Sequence, residues 1–242
     1  MKKQRLDSIL LERGIAKSAE EAFIMITEGT IFLNGQKTIS PAQLADPDAA
    51  IQVRGRDKYV GRGAYKLEGA LEKFGISVAG MTCADIGAAT GGFTEVLLRR
   101  GATRVYAIDT AHGKMATKIR EDPRVTVMER TDVRTLASLP EKVDCAVIDV
   151  SLISLRDILP HAARLLRPDG IVVALFKPQY ETRDPAALRH GIIRDHEKRE
   201  NLAADFQQWL TAHKWSIMGR MESPIKGSEG NTEYLFYLTH KK

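Results

Sequence analysis

Thr82-Cys83-Ala84-Asp85-Ile86 runs directly into Gly87-Ala88-Ala89-Thr90-Gly91-Gly92 and then into the helical spacing of residues 93 to 100. A β-prone run, a glycine-bearing turn and a helix in that order bring backbone close to a nucleotide-like ligand at the carboxyl edge of a parallel sheet. Glycine suits such a turn because a Cβ would block close approach. Working outward, Leu67, Ala70, Leu71 and Phe74 form a helical face that stops at Gly75. Downstream, strands at 104–109, 125–129, 144–150 and 171–176 alternate with helices at 114–120, 155–166 and 196–212. The turn Pro168-Asp169-Gly170 precedes the buried run Ile171 to Phe176, and a long polar segment, 178 to 194, follows it. Two last strands, 215–221 and 233–239, have no helix between them. Alternation predicts a doubly wound α/β domain over residues 64–242, closed by an antiparallel last strand.

Three acids narrow the ligand. Asp85 precedes the turn, Asp109 ends the second strand, and Asp132 follows the third. Asp109 is placed to accept from ribose hydroxyls, Asp132 from an adenine amino group, and Asp85 to attract a cationic amino-acid end. A nicotinamide dinucleotide is the obvious competitor, but its fingerprint places a glycine where Ala89 stands. A pocket rich in acids suits S-adenosylmethionine (SAM), which carries positive charge, better than a pyrophosphate. The expected cofactor set is Asp85, Gly87, Ala88, Thr90, Gly91, Gly92, Phe93, Asp109 and Asp132.

Residues 1–53 form a separate pattern. Leu6, Ile9 and Leu10 share a helical face ended by Gly14, and Ser18 with Glu21 is a capping box for a second helix. That helix turns Ala22, Met25 and Ile26 inward and stops at Gly29. Ile31-Phe32-Leu33, the turn Asn34-Gly35 and Ile51-Gln52-Val53 read as short strands around a hairpin. The Gly- and Arg-rich stretch 54–63 reads as a linker.

The chain has 242 residues, 43% of them hydrophobic, and a net charge of +5. Its pI near 9.2 permits a nucleic-acid partner without requiring one. Cys83 and Cys145 fall inside predicted strands with no metal-site spacing, and no apolar stretch has membrane-spanning length. No metal is expected, and a cytoplasmic location is.

Candidate reacting groups gather at strand ends. Asp149 ends the fourth strand, Lys177 the fifth, Lys66 opens the preceding helix, and Glu233 opens the last strand. The Asn/Asp-Pro-Pro-aromatic motif of exocyclic amine methylation is absent after Asp149, and neither cysteine is placed as a nucleophile for carbon methylation. Lys66, Asp149, Lys177 and Glu233 resemble the Lys-Asp-Lys-Glu tetrad of the FtsJ-type RNA ribose 2′-O-methyltransferases. Residues 61–68, 85–93, 149–155, 176–179 and 230–234 are similar to segments of the TlyA, or hemolysin A, family. Arg5-Leu6-Asp7, Gly14, Ser18, Ala22, Gly29 and Asn34-Gly35 resemble the S-four RNA-binding domain. The resemblance implies a Rossmann-like SAM-dependent methyltransferase domain behind a small α+β RNA-binding domain. It also implies 2′-O-methylation of ribosomal RNA, free or in ribosomal subunits.

Methylating an alcohol requires its proton to leave and its oxygen to be held in line. A free lysine is protonated at neutral pH. Lys66 would repel a proton from Lys177, whereas Asp149 and Glu233 would hold one there. Lys177 is therefore expected to be the base or the hydroxyl-orienting group, with Asp149 and Lys66 fixing it and Glu233 holding the lysines or the ribose. Lys2, Lys3, Arg5, Arg13, Lys17 and Lys37 are the expected phosphate contacts. Other classes consistent with parts of the pattern are an RNA- or ribosome-binding factor without turnover and a membrane-active hemolysin.

Overall fold

The computed structural model describes residues 3–27, 29–38, 40–53, 59–182, 184, 188, 190–227 and 229–241. The chain divides into two compact units, Met1–Lys58 and Tyr59–Lys242.

In the first unit, α1 (Leu6–Glu12) buries Leu6, Ile9 and Leu10. It stops at Gly14, whose φ of +65° is a left-handed conformation that glycine adopts without strain. Helix α2 (Ala19–Thr27) is capped by Ser18 Oγ, which accepts from Glu21 N at 3.1 Å. The return arm differs from the expected box, because Glu21 Oε2 accepts from Lys17 N at 2.7 Å. Ala22 and Ile26 are buried as expected, and Met25 is half-buried. Strands β2 (Ile31–Leu33) and β3 (Gln36–Lys37) are joined by Asn34 and Gly35, both at positive φ as a two-residue hairpin requires. Strand β5 (Ile51–Val53) pairs with the other edge of β2. A second ladder, β1 (Gln4–Arg5) with β4 (Leu44–Ala45), has no counterpart in the sequence reading, since two-residue strands carry no periodicity.

The second unit is built on one seven-stranded sheet. Its strands are β6 (Thr82–Ile86), β7 (Arg104–Ile108), β8 (Val125–Met128), β9 (Val143–Ile148), β10 (Leu166–Phe176), β11 (Trp215–Glu222) and β12 (Tyr234–His240). The order β11-β12-β10-β9-β6-β7-β8 runs outward from β6 to β8 and then returns to β9 on the other side of β6. That reversal opens a crevice at the carboxyl ends of β6 and β9, where Ile86 pairs with Ile148. The last strand is antiparallel, as expected, but lies between β10 and β11, so β11 forms the edge. The turn at 168–170 is a register shift inside the longer β10, with Asp169 at φ +62°. Helix α5 (Thr117–Arg120) is shorter than expected because the loop before it wraps Glu129, whose Oε1 accepts from Gly113 N at 2.9 Å.

Alternate strand residues feed two apolar layers. One packs Phe176, Phe236 and Trp215 against α6 (Leu155–Leu165) and α8 (His196–Ala212). The other packs Cys83, Val105 and Cys145 against α3 (Ala64–Phe74) and α4 (Gly92–Arg99). The two cysteines are unbridged, buried neighbours in register. The expected linker divides: Arg54–Lys58 lie outside the described residues, whereas Tyr59 is buried in the second unit. Tyr59 packs edge-on to Tyr65 at 5.4 Å beneath the Arg99 guanidinium, and Val60 N donates to Glu95 Oε2 at 2.6 Å.

Phe206 is fully buried and touches Phe176 at 4.9 Å and Phe236 at 5.3 Å between ring centroids. Phe206→Ala is expected to lower unfolding free energy by about 3–5 kcal/mol in urea titration, the usual cost of an emptied aromatic site.

Candidate active site

Parallel pairing of β9 with β10 brings Asp149 and Lys177, just past the two strand ends, side by side. Antiparallel pairing of Phe176 with Tyr234 sets Lys177 beside Glu233. Lys66 arrives from the first turn of α3. The four residues expected to act together thus line one cavity of about 230 Å³, with Arg62, Gly63, Ser151 and Asn231 among its other walls.

Within it the charges form two pairs. Lys66 Nζ meets Glu233 Oε2 at 2.6 Å, with both side chains nearly inaccessible. Lys177 Nζ meets Asp149 Oδ1 at 2.6 Å and donates to Ser151 Oγ at 2.9 Å. Lys177 also lies 5.8 Å from the centre of the Tyr180 ring. The expected single network around Lys177 is therefore two separate ion pairs, in which Lys66 is held by Glu233. Breaking either would leave a charge in a mostly buried site, typically a loss of several kcal/mol.

A second cavity, about 760 Å³, opens at the switch point. Gly87, Asp109 and Asp132 of the expected cofactor set line it, together with Ala89, Arg134 and Asp157. Asp149, Ser151 and Tyr180 line both cavities. Gly87 is required twice over: its φ is +88°, and a Cβ there would fall 2.4 Å from the Asp149 carbonyl oxygen. Asp109 Oδ2 accepts from Ala89 N and Oδ1 from Ala111 N, both at 2.7 Å, leaving a further lone pair on each oxygen. Asp132 accepts from Arg134 Nη2 at 2.6 Å, and this hydrogen bond holds its carboxyl below the usual range.

Asp85, Ala88, Thr90, Gly91, Gly92 and Phe93 lie outside that cavity wall. Gly91 and Gly92 allow close packing, since Cβ atoms there would press on Ile119 and on the Ala64 nitrogen at 3.0 and 3.2 Å. Ala88 and Phe93 are core residues, and the Thr90 carbonyl accepts from Ala116 N at 3.1 Å. Asp85 is fully buried and accepts from Thr94 Oγ1 at 2.6 Å, while its Oδ1 has no partner among the described residues. Burial pushes its carboxyl up to about 7, against the Thr94 hydrogen bond and with a smaller push from Asp149.

Ser151, Asp157 and Arg134 were missed in the sequence. Ser151 sits within the motif that supplied Asp149, and its hydroxyl two residues on was the available signal. The other two are ordinary helix-start and loop residues with no sequence signal.

In the first unit, Arg5 is bound to Asp7 at 2.6 Å, and Arg13 donates to the carbonyls of Ala49, at 2.8 Å, and Pro47. Lys3, Lys17 and Lys37 are exposed, and Lys2 lies outside the described residues.

An acid whose folded value is raised stabilises fully below its unfolded value and loses that contribution as pH climbs through the folded one. For Asp85, moving from 3.8 to about 7, the window is pH 4 to 7 and the loss about 4 kcal/mol. Asp85→Asn removes this slope, so urea titrations from pH 4 to 8 should show the mutant gaining on wild type as pH rises. Parallel curves would show that Asp85 does not titrate there.

The FtsJ-like methyltransferase family model matches residues 59–240. The 16S/23S rRNA (cytidine-2′-O)-methyltransferase TlyA of Mycobacterium tuberculosis is 38% identical over 241 residues, spanning 98% of this chain and 90% of its own. A solved structure described as a hemolysin from Streptococcus thermophilus superposes with a TM-score of 0.76 at 35% identity, covering 100% of this chain and 90% of that one. Small ribosomal subunit protein uS4 of Streptomyces coelicolor is 42% identical over 55 residues, a span the size of the first unit and 27% of that protein. A sheet reversing at β6, a tetrad in one cavity and relatives matched along nearly the whole length agree. The chain belongs to the FtsJ-like methyltransferases, in their TlyA/hemolysin A branch.

Proposed function

We propose that this protein methylates ribose 2′-hydroxyls of structured RNA, with ribosomal RNA as substrate and SAM as donor, which places its work in the cytoplasm. The observation that carries the reading is the shared wall. Asp149 and Ser151 belong both to the tetrad cavity and to the larger cavity lined by Asp109, Asp132 and Asp157. A hydroxyl in the first and a methyl donor in the second would meet across that wall.

The larger cavity fits SAM in size and in donor set, because carboxylates at successive strand ends match a ribose diol, an amine and net positive charge. When bound, SAM supplies an electrophilic methyl group on a sulfonium sulfur. Asp109 takes the ribose hydroxyls on its free lone pairs, and Asp132 takes the adenine amine once Arg134 yields or shares its oxygen.

On the RNA side, Lys177 Nζ holds the 2′-oxygen. Asp149 Oδ1, 2.6 Å away, fixes one N–H of Lys177. The vertex of Nζ that faces the 2′-oxygen receives the proton leaving the hydroxyl after giving up its own to solvent at the cavity mouth. The Lys66–Glu233 pair keeps the opposite wall rigid and polar. Arg62 and Lys226, exposed at the mouth of this cavity, are placed to take the flanking phosphates. The first unit, S-four-like by its match to uS4, grips folded RNA through Lys3, Lys17 and Lys37, since exposed aromatics for stacking are few. Arg5 and Arg13 contribute only where their internal bonds are shared.

Lys177→Ala should lower methyl transfer to ribosomal subunits at least about 100-fold while SAM and RNA affinities stay near wild type. Lys177→Arg should fail as well, because arginine keeps its charge but does not release a proton. Labelled-methyl incorporation, with circular dichroism to confirm folding, checks both, and wild-type turnover in Lys177→Ala would return the tetrad to ordinary ion pairs. Asp109→Ala should weaken SAM binding by about 1–3 kcal/mol in calorimetry; unchanged affinity would mean the donor site lies elsewhere.

A further inference from the structure

The geometry points to Ser151 as a positioning residue that fixes Lys177 Nζ for the transfer, a role resting on the function proposed above. Nζ is tetrahedral. One vertex is Cε, one N–H points to Asp149 Oδ1 at 2.6 Å, and one to Ser151 Oγ at 2.9 Å. A single vertex remains for the 2′-oxygen. With Asp149 alone, the last side-chain torsion would let Nζ swing about that one contact. The second contact closes the swing, and it comes from the residue that also lines the donor cavity.

The same two chain segments are joined a second time. Lys177 caps α7 (Pro178–Glu181), and Glu181 ends it. Glu181 accepts from Ser154 Oγ at 2.5 Å, from Leu155 N at 2.7 Å and from Arg156 Nη1 at 2.8 Å. Residues 151 and 154 of one loop are thus tied to the cap, Lys177, and the last residue, Glu181, of one short helix. The Glu181 brace holds the loop, so the Ser151 hydroxyl meets Nζ from a fixed side. Tilting Nζ away from the wall shared by the two cavities would misalign oxygen and methyl, and misalignment acts on turnover more than on binding.

Steady-state methylation of ribosomal subunits by Ser151→Ala, Ser151→Thr and Lys177→Ala tests this, with SAM affinity from calorimetry. Ser151→Ala should lower kcat roughly ten- to hundred-fold, the cost of one hydrogen bond to a charged group. Its KM for RNA and Kd for SAM should stay within about twofold of wild type, as expected for a group acting in the transition state. Ser151→Thr, which keeps the hydroxyl, should recover most of the turnover. Wild-type kcat in Ser151→Ala, a loss confined to KM, or a threonine variant as impaired as alanine would each overturn the assignment. In those cases Lys177→Ala still inactive leaves the proposed function standing. Turnover surviving in Lys177→Ala removes the Lys177 role, and the Ser151 role with it, whereas absence of methylation by the wild-type protein would overturn the function itself.

Discussion

Everything at this site depends on how closely the chain after β6 passes the chain after β9. Asp149 N donates to Ile86 O at 2.9 Å, and Gly87 N donates to Ile108 O at 2.9 Å. A methyl group on Gly87 could not be accommodated against the Asp149 carbonyl. These contacts hold the two strand ends together at the point where the strand order reverses. The consequence is that Asp149, with Ser151 and Tyr180, is presented to two cavities at once. Transfer between two molecules needs such a wall, thin enough for reacting atoms to meet and stiff enough to hold them in line.

The second constraint is electrostatic. Lys66, Lys177, Asp149 and Glu233 come from four separate elements, and most are nearly inaccessible to water. Lone charges at such depth would each be costly, whereas two opposed pairs are neutral as a set. The two pairs differ in surroundings. Lys66 is bound to the more deeply buried carboxylate, while Lys177 has a partly exposed carboxylate and a hydroxyl as neighbours.

The alternation of strand and helix was legible because each strand is a buried apolar run bounded by polar turns, and the tetrad was legible because each member stands at a strand or helix boundary. What the sequence could not show is which charges pair. That depends on β12 entering between β10 and β11, a long-range choice that places Glu233 beside Lys66. Gly91 and Gly92 are similar. A glycine-rich turn signals close approach but not of what, and among the described residues the close neighbours are α3 and α5. Asp85 carried the same ambiguity, since a strand-end carboxylate reads alike whether it faces a cavity or the core. Tyr59 to Gly63 read as linker because glycines and arginines surround one buried aromatic.

Strain is concentrated along the same wall. Ala89 and Leu152, at φ +47° and +66°, both line the larger cavity, and left-handed backbone costs a non-glycine residue roughly 1–2 kcal/mol. Each is restrained by its surroundings. Asp109 accepts from Ala89 N at 2.7 Å, and the loop carrying Leu152 is tied to α7 through Ser151 and Ser154. Leu152, 86% exposed, gains little from burial in return for its strain. A backbone conformation kept against its own preference, by contacts on both sides of a cavity, fits a wall whose shape is set by what it must hold rather than by folding alone.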